Sequence, residues 1–163
     1  GTAFDKVVVG VAIPHPLISA TKPIQILLVQ RAAHEKVYPG CYELPGGSVL
    51  DSDKTILDAA VREVTEETGL IVSNIVGEFP PLEYSVEKIL AAEEGAIPTA
   101  IVRSTIQLNF VAQVVPFGST NAFEVKLNPE EHQNYAWVSK EDLGRYNMTE
   151  GMNGVVRDAL AWA

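Results

Sequence analysis

Three glutamates, Glu63, Glu66 and Glu67, stand at positions i, i+3 and i+4 and are the first residues that suggest chemistry. On a helix this spacing places all three carboxylates on one face, where like charges repel. They also fall in the last turns of the predicted helix, where the helix dipole disfavours anions. A divalent cation would remove both conflicts, and purely oxygen ligation favours Mg²⁺ or Mn²⁺ over zinc. On spacing alone a solvated acidic face is the more common explanation, so neighbouring residues must decide.

The segment around these glutamates favours a metal site. A helix is predicted over residues 55–68, because Thr55 can cap it, Asp58 completes a capping box and Gly69 can end it. The sequence Leu44-Pro45-Gly46-Gly47 precedes this helix by a few residues. Glycine lets the backbone approach a ligand or a metal closely. A glycine pair followed by an acidic helix face is therefore a candidate site for a cation and an anionic ligand.

Other elements must position this segment. Apolar runs and alternating patterns predict strands at 7–13, 24–30, 71–76, 102–115 and 135–138. Helices are predicted at 86–94 and 149–162, and Ser139 with Asp142 forms a second capping box. The segment 32–47 is predicted to be a loop with one short extended piece. Strands and helices are mixed without strict alternation, which predicts an α+β fold.

The run from Arg62 to Leu70, with Gly47 before it, resembles the Nudix box of the Nudix hydrolase family. That box reads G-x5-E-x7-R-E-U-x-E-E-x-G-U, where U is a bulky aliphatic residue. The sequence Arg62-Glu63-Val64-Thr65-Glu66-Glu67-Thr68-Gly69-Leu70 matches every fixed position of its second half. The strand ending in Gln30-Arg31 and the closing segment around residues 128–143 are also similar to the family. The resemblance thus spans most of the chain, and its specific part lies between Gly47 and Leu70.

One position departs from the box. Lys54 stands eight residues before Arg62, where the family has its first glutamate, and counting forward from Gly47 places Asp53 there instead. The loop therefore carries one extra residue. In the family this glutamate orients the box arginine, so we expect Arg62 to pair with Asp53 or with Asp58, and not with position 54.

The resemblance implies a Nudix-like mixed β-sheet sandwiched between helices, in a single domain spanning residues 1–163. It implies a metal-dependent pyrophosphohydrolase that cleaves a diphosphate bridge in a nucleoside diphosphate-linked substrate, with water attacking phosphorus. ADP-ribose, a nucleotide sugar and a nucleoside triphosphate all remain open. The alternative is a catalytically weak or inactive Nudix-fold module that binds nucleotides or other partners. The altered first glutamate favours this alternative, whereas the intact helix carboxylates and glycines favour the enzyme.

The resemblance also assigns roles by position. The metal ligands would be Glu63, Glu66 and Glu67 with the carbonyl of Gly47, and the metal would be Mg²⁺, with Mn²⁺ possible. Glu67 is the first choice for the general base. The acids of a later loop, Glu131 or Glu130, are the alternatives.

Other side chains have weaker assignments. Arg62 would orient the site, and Gly46 and Gly47 would face the substrate. Arg31 is a candidate phosphate contact because guanidinium matches phosphate geometry, although an exposed structural arginine is equally common. His132 is a candidate for positioning the substrate, although a surface histidine is the more common case. Two aromatic residues are expected in the core of a strand, Tyr135 and Trp137.

Composition restricts the partners. The 163 residues carry a formal net charge of −9, which argues against binding to nucleic acid, because such binding needs a basic surface. No apolar run reaches the roughly 18 residues that a membrane helix needs. The single cysteine, Cys41, cannot form an internal disulfide and is consistent with a cytoplasmic location. We therefore expect a cytoplasmic monomer or homodimer that binds a small phosphorylated nucleotide.

Overall fold

The computed structural model describes residues 4–17, 22–90, 95, 97, 99–115 and 124–162. Among these residues there are seven strands, two α-helices and a short 3₁₀ helix. The strands are β1 (Lys6–Ala12), β2 (Gln25–Arg31), β3 (Tyr42–Glu43), β4 (Gly46–Ser48), β5 (Ile71–Leu90), β6 (Thr99–Val115) and β7 (His132–Ser139). The helices are α1 (Ile56–Thr68), the 3₁₀ helix Lys140–Arg145 and α2 (Glu150–Trp162).

The described strands form two sheets. One has the strand order β4-β1-β6-β5, in which β1 and β6 run parallel and the other neighbours run antiparallel. The second has the order β3-β2-β7 and is antiparallel throughout. The sheets meet where Leu27 N–H donates to the Ile13 carbonyl at 3.1 Å and where Pro14 bridges to Ile26. The predicted mixed sheet is therefore present, divided into two joined parts.

The two helices cover opposite faces of these sheets. Alternate residues of β1, Val9 and Val11, are buried in one cluster with Ala60 and Val64 of α1. The other face of the sheets packs in a second cluster, which contains α2 and includes Ala12, Ile26, Leu28, Val155, Val156, Ala159 and Leu160. Strands buried on both faces explain why β1 and β2 read as nearly continuous apolar runs. The predicted α+β architecture, with the sheet between helices, is confirmed.

Helix α1 begins and ends at the predicted residues. The Thr55 hydroxyl accepts a hydrogen bond from Asp58 N–H at 3.1 Å, which satisfies one free donor of the first turn. Gly69 has φ 72°, and its N–H donates to the Thr65 carbonyl at 2.9 Å. Glycine adopts the left-handed backbone conformation of this position without the strain that a Cβ atom would cause.

The prediction of a helix at 86–94 is wrong for residues 86–90, and residues 91–94 lie outside the described part of the chain. Strand β5 continues to Leu90, and its second half pairs with β6 from Leu82↔Gln107 to Leu90↔Thr99. The prolines Pro80 and Pro81 do not end the strand, because the register shifts between Phe79 and Leu82. A bulge accommodates residues that cannot donate to the ladder.

Two smaller expectations also need correction. The segment 32–47 contains β3 and the start of β4, so it holds two extended pieces rather than one. Ser139 does not cap a helix by accepting from a backbone N–H; its hydroxyl donates to the Asp142 carboxylate at 3.0 Å, at the start of the 3₁₀ helix. Neither described helix is long and apolar enough to span a bilayer.

Two glycine substitutions test the termination of α1. Gly69→Ala should destabilise the protein by about 1–2 kcal/mol, because alanine is strained in the left-handed region, and its Cβ would also lie 3.2 Å from Lys126 Cβ. Gly154→Ala in α2 has open space around the new Cβ and should stabilise the helix by about 0.5–1 kcal/mol. Urea denaturation of both variants measures the difference. Equal effects of the two substitutions would contradict the assigned end of α1.

Candidate active site

The glycine pair of strand β4 lies against both strand β1 and helix α1. Gly46 pairs with Gly10, and Gly47 pairs with Val9. An added Cβ on Gly46 would overlap the Val9 carbonyl oxygen, and one on Gly47 would lie 2.6 Å from Glu63 Oε1. Glycine is therefore required at Gly46 for β4 to approach the backbone of β1, and a side chain at Gly47 would displace the Glu63 carboxylate.

Glu67 is buried at the end of this contact, with 5% of its surface exposed. Its Oε2 accepts a hydrogen bond from Gly46 N–H at 2.9 Å. Burial raises the pKa of the Glu67 carboxyl to about 9. The Gly46 hydrogen bond opposes this rise, and the neighbouring carboxylates of Glu43, Glu63 and Glu131 add to it. A cation placed here would be strongly attracted to Glu67.

The other two helix glutamates have different surroundings. Glu63 is 8% exposed, and burial raises its pKa, while the Arg62 guanidinium at 3.0 Å opposes the rise. The side chain of Glu66 is 57% exposed and contacts the same guanidinium nitrogen at 3.1 Å. The three carboxylates thus do not share one environment, because two are buried against β4 and Glu66 lies at the edge.

Arg62 connects the loop, the helix and strand β4. Its Nε and Nη2 each donate to one carboxylate oxygen of Asp53 at 2.9 Å, and Nη2 also donates to the Ser48 carbonyl at 3.0 Å. These bonds lower the pKa of Asp53, together with a bond from Leu50 N–H. The prediction that Arg62 pairs with Asp53 or Asp58 is confirmed for Asp53, whereas Lys54 is exposed.

A cleft of about 410 Å³ opens beside these residues. Its lining includes the site residues Gly46, Gly47, Glu63, Glu67, Arg31 and Glu131 from the sequence prediction. Neither Glu66 nor Glu130 is among the described residues that line it. The Glu130 carbonyl instead contacts His34 Nε2 at 2.8 Å. The structure therefore brings together six of the predicted site residues, whereas Arg62 and these two glutamates do not line the cleft.

Arg31 and His132 are neighbours in the lining of the same cleft. They are paired residues of β2 and β7, next to a register shift between Gln30 and Arg31. Glu43 contacts both, since its Oε1 lies 2.9 Å from Arg31 Nη1 and 3.4 Å from His132 Nε2. Arg31 also donates from Nε to the Val37 carbonyl at 2.8 Å. Arg31 is thus oriented by neighbours while it faces the cleft.

Two sequence expectations for β7 are wrong. His132 is buried, with 3% of its surface exposed, because it packs on the cleft wall instead of facing solvent. Its Nδ1 has no hydrogen-bond partner, the one such buried side-chain nitrogen or oxygen in the described part of the chain. Tyr135 is 39% exposed and does not lie in the core. Trp137 does pack against a core cluster, with its ring 4.5 Å from that of His15.

Two buried amides beside the cleft, Gln107 and Asn109, were not predicted from the sequence. Asn109 donates from Nδ2 to the Pro80 carbonyl at 2.9 Å, and its Oδ1 accepts from Gln107 Nε2 at 2.8 Å. Gln107 and Asn109 are 7% and 2% exposed, and Gln107 lines the cleft. Gly10 leaves space for both amides, since a Cβ added at this position would lie 2.6 Å from Asn109 Oδ1. Gln107 and Asn109 alternate with apolar residues along the predicted strand, and this pattern could have indicated that both amides lie on one face of β6.

Comparison with known proteins decides the family. A family model described as the NUDIX domain matches residues 9–159. The chain belongs to the Nudix family. A curated relative from Escherichia coli O7:K1, named as the uncharacterized Nudix hydrolase NudL, is 26% identical over 147 residues, which cover 84% of this chain and 75% of the relative. The sequence prediction of a Nudix-type hydrolase acting on phosphorus-containing anhydrides is thus confirmed.

Solved Nudix structures are similar to this chain in fold. The NUDIX domain of Shewanella oneidensis NrtR, complexed with ADP ribose, has a TM-score of 0.63 and 15% identity, with 99% of this chain and 90% of that chain covered. The binary complex of a C. elegans Ap4A hydrolase has a TM-score of 0.62 and 20% identity, with 96% of each chain covered. At these identities the likeness confirms the Nudix fold.

The position of Asp53 leads to a test of the Nudix box in this chain. Asp53→Asn should lower the melting temperature, because the amide cannot accept two charged hydrogen bonds from Arg62. Lys54→Ala is the control and should change the melting temperature by less than about 2 °C, as for an ordinary exposed residue. Differential scanning calorimetry measures both. A Lys54→Ala loss as large as that of Asp53→Asn would show that the lysine has a structural contact.

The raised pKa of Glu67 predicts how the stability of the metal-free protein depends on pH. The folded protein keeps a proton that the unfolded chain releases above about pH 4.5. Stability from this group is therefore present at low pH and is lost as the pH rises towards about 9. Glu67→Gln removes the ionisation, so its melting temperature in EDTA should exceed that of the wild type by an amount that grows from pH 5 to pH 9.

The expected gain is several degrees at the upper end, since about 1 kcal/mol corresponds to about 2–4 °C in a chain of this size. Glu66→Gln is the matched control, because its side chain is mostly exposed, and at pH 9 it should raise the melting temperature much less than Glu67→Gln does. A Glu67→Gln gain that stays constant or shrinks with rising pH would contradict the assigned environment.

Proposed function

We propose that this Nudix protein is a metal-dependent pyrophosphohydrolase that cleaves a diphosphate bridge in a nucleoside diphosphate-linked substrate. The observation that carries the proposal is the pair of buried helix carboxylates, Glu63 and Glu67, held against Gly46 and Gly47 at the wall of the cleft. Buried carboxylates without a matching cation are costly, and a site built this way is suited to a divalent ion.

The residues present fit a divalent ion. Burial raises the pKa of both Glu63 and Glu67, which is the environment that an added positive charge would relieve. The proposed oxygen ligands are Glu63, Glu66 and Glu67 with the carbonyl of Gly47, and this set favours Mg²⁺, with Mn²⁺ possible. Glu66 would contribute from the edge of the cleft, where Arg62 holds its carboxylate.

The bound ions would neutralise the charge of the diphosphate and polarise its phosphoryl oxygens. Glu67, fixed by the Gly46 N–H, is positioned to take a proton from the attacking water, and Glu131 on the same cleft is the alternative base. Arg62 acts as a positioning residue, because its guanidinium is fully engaged with protein oxygens. Arg31, which lines the cleft, is the proposed phosphate contact, because guanidinium matches phosphate geometry.

The nature of the substrate follows from the cleft and from the relatives. A volume of about 410 Å³ suits a nucleotide-sized molecule. One structural neighbour is described as complexed with ADP ribose, and another is described as an Ap4A hydrolase. ADP-ribose, nucleotide sugars and nucleoside triphosphates are therefore the substrates to test. The buried amide of Gln107 is placed to select among them by hydrogen bonding.

The alternative of a binding module rested on the altered first glutamate of the box. Asp53 provides the bidentate partner that orients Arg62, so the alteration does not disconnect the arginine from the helix carboxylates. The arrangement therefore supports the hydrolase in preference to an inactive module.

The reaction is tested with a panel of ADP-ribose, nucleotide sugars, dinucleoside polyphosphates and nucleoside triphosphates in the presence of Mg²⁺ or Mn²⁺. We expect hydrolysis in H₂¹⁸O to place the label in a phosphorus-containing product. Glu67→Gln should lower kcat by about two or more orders of magnitude, the size of a lost general base. Glu141→Gln, an exposed carboxylate away from the cleft, should keep the wild-type rate.

Two results would change the assignment. A Glu67→Gln variant that stays active while Glu131→Gln does not would transfer the role of the base to Glu131. A wild-type protein that hydrolyses no member of the panel with either metal would overturn the proposed activity in favour of the binding module.

A further inference from the structure

Three side chains in the cleft lie close enough to share one ion, and one of them is a histidine. A ring nitrogen of His132 and carboxylate oxygens of Glu67 and Glu131 lie within 4.8 Å of one another. Glu67 and His132 are buried, whereas Glu131 is exposed. Glu131 and His132 are held by a turn in which both N–H groups donate to the Asn128 carbonyl, at 3.0 and 2.9 Å. This group differs from the helix carboxylates in containing a nitrogen donor.

The histidine itself is unsatisfied. Only 3% of the surface of His132 is exposed, and its Nδ1 has no hydrogen-bond partner. If Nε2 carries the proton and donates to Glu43, the lone pair on Nδ1 has no donor. If Nδ1 carries the proton, that N–H is unpaired and the Nε2 lone pair faces the carboxylate of Glu43. In each neutral tautomer, one ring nitrogen therefore has a lone pair that accepts no hydrogen bond.

The surroundings of the ring match those of a metal-bound histidine. Metal-bound imidazoles commonly contact a carboxylate through their other nitrogen, which fixes the tautomer and the ring orientation. Glu43 stands at that position for His132, and Arg31 holds Glu43 with a 2.9 Å ion pair. The ring is thus held by Glu43, which Arg31 holds in turn, and one of its nitrogens lies within 4.8 Å of carboxylate oxygens of Glu67 and Glu131.

We propose that His132 supplies a nitrogen ligand, together with Glu67 and Glu131, to a first-row transition-metal ion in the cleft. Imidazole is a poor ligand for Mg²⁺, which prefers oxygen, whereas it binds transition ions well. The set shares Glu67 with the helix carboxylates, so it deepens the proposed function by making one ion of the site a transition metal. Its biological role rests on that function, but the binding of the ion does not.

The test is a spectroscopic measurement that does not depend on turnover. Protein stripped of metal with EDTA receives one equivalent of Mn²⁺, and electron spin-echo envelope modulation detects nitrogen bound directly to the ion. We expect imidazole ¹⁴N modulation, which changes to a ¹⁵N pattern when the protein is labelled with [¹⁵N]histidine. The chain has three histidines, so the double variant His15→Gln/His34→Gln leaves His132 alone. This double variant should keep the full signal, and it avoids substitution of the buried residue.

A complementary variant measures affinity. His132→Gln, with circular dichroism confirming its fold, should lose the ¹⁴N signal and bind Co²⁺ at least about tenfold more weakly in calorimetry, since even outer-shell partners contribute that much. Its Mg²⁺ affinity should change little. Wild-type protein with bound Mn²⁺ but no nitrogen modulation would overturn the proposal, and so would loss of the signal in the double variant.

These results separate the site from the activity. A nitrogen signal in a protein that hydrolyses no diphosphate would support the metal site and overturn the proposed function. Hydrolysis without a nitrogen signal would leave the function standing and remove His132 from the metal ligands.

Discussion

The burial of two like charges on one helix is the constraint on which the rest of the site depends. Glu63 and Glu67 lie one turn apart, and both are removed from water by strand β4. Such an arrangement is unfavourable by itself, because desolvation and mutual repulsion both disfavour the ionised forms. A hydrogen bond from the Gly46 N–H to Glu67 and one from the Arg62 guanidinium to Glu63 offset this cost. The free energy for holding these carboxylates in place comes from the apolar packing of α1 on the sheets.

Arg62 links the buried carboxylates of α1 to two other parts of the chain. Its side chain joins the loop at Asp53, the carbonyl of Ser48 on β4 and the carboxylates of α1. Movement of the loop would therefore move the wall of the cleft. A family glutamate has been replaced by a shorter acid one residue earlier relative to the helix, and the bidentate geometry is kept. The function of this position is thus a geometric one that aspartate can fulfil when the loop carries an extra residue.

Local signals were sufficient to predict the elements whose boundaries depend on nearby residues. The helix predicted over residues 55–68 is confirmed as α1, because Thr55 and Gly69, which cap it, lie within a few residues of the groups that they satisfy. The helix predicted at 86–94 failed because pairing with β6 outweighs the helix-forming residues of that segment. The burial of His132 could not be predicted either, since it depends on the pairing of β7 with Arg31, about a hundred positions away in sequence. The choice of Asp53 over Asp58 likewise required the path of the loop.

The parallel pairing of β1 with β6 also affects how the chain is made. Lys6 pairs with Thr105, and Gln25 pairs with Ser139. At a synthesis rate of about 5–20 residues per second, β1 would wait roughly 5–20 s on the ribosome for its partner. Throughout that interval β1 and β2 can pair only with the short strands β4 and β3 and lack their longer partners β6 and β7, a state prone to aggregation. The cleft, whose lining includes both Lys6 and Met152, therefore assembles only after the chain has been made as far as α2.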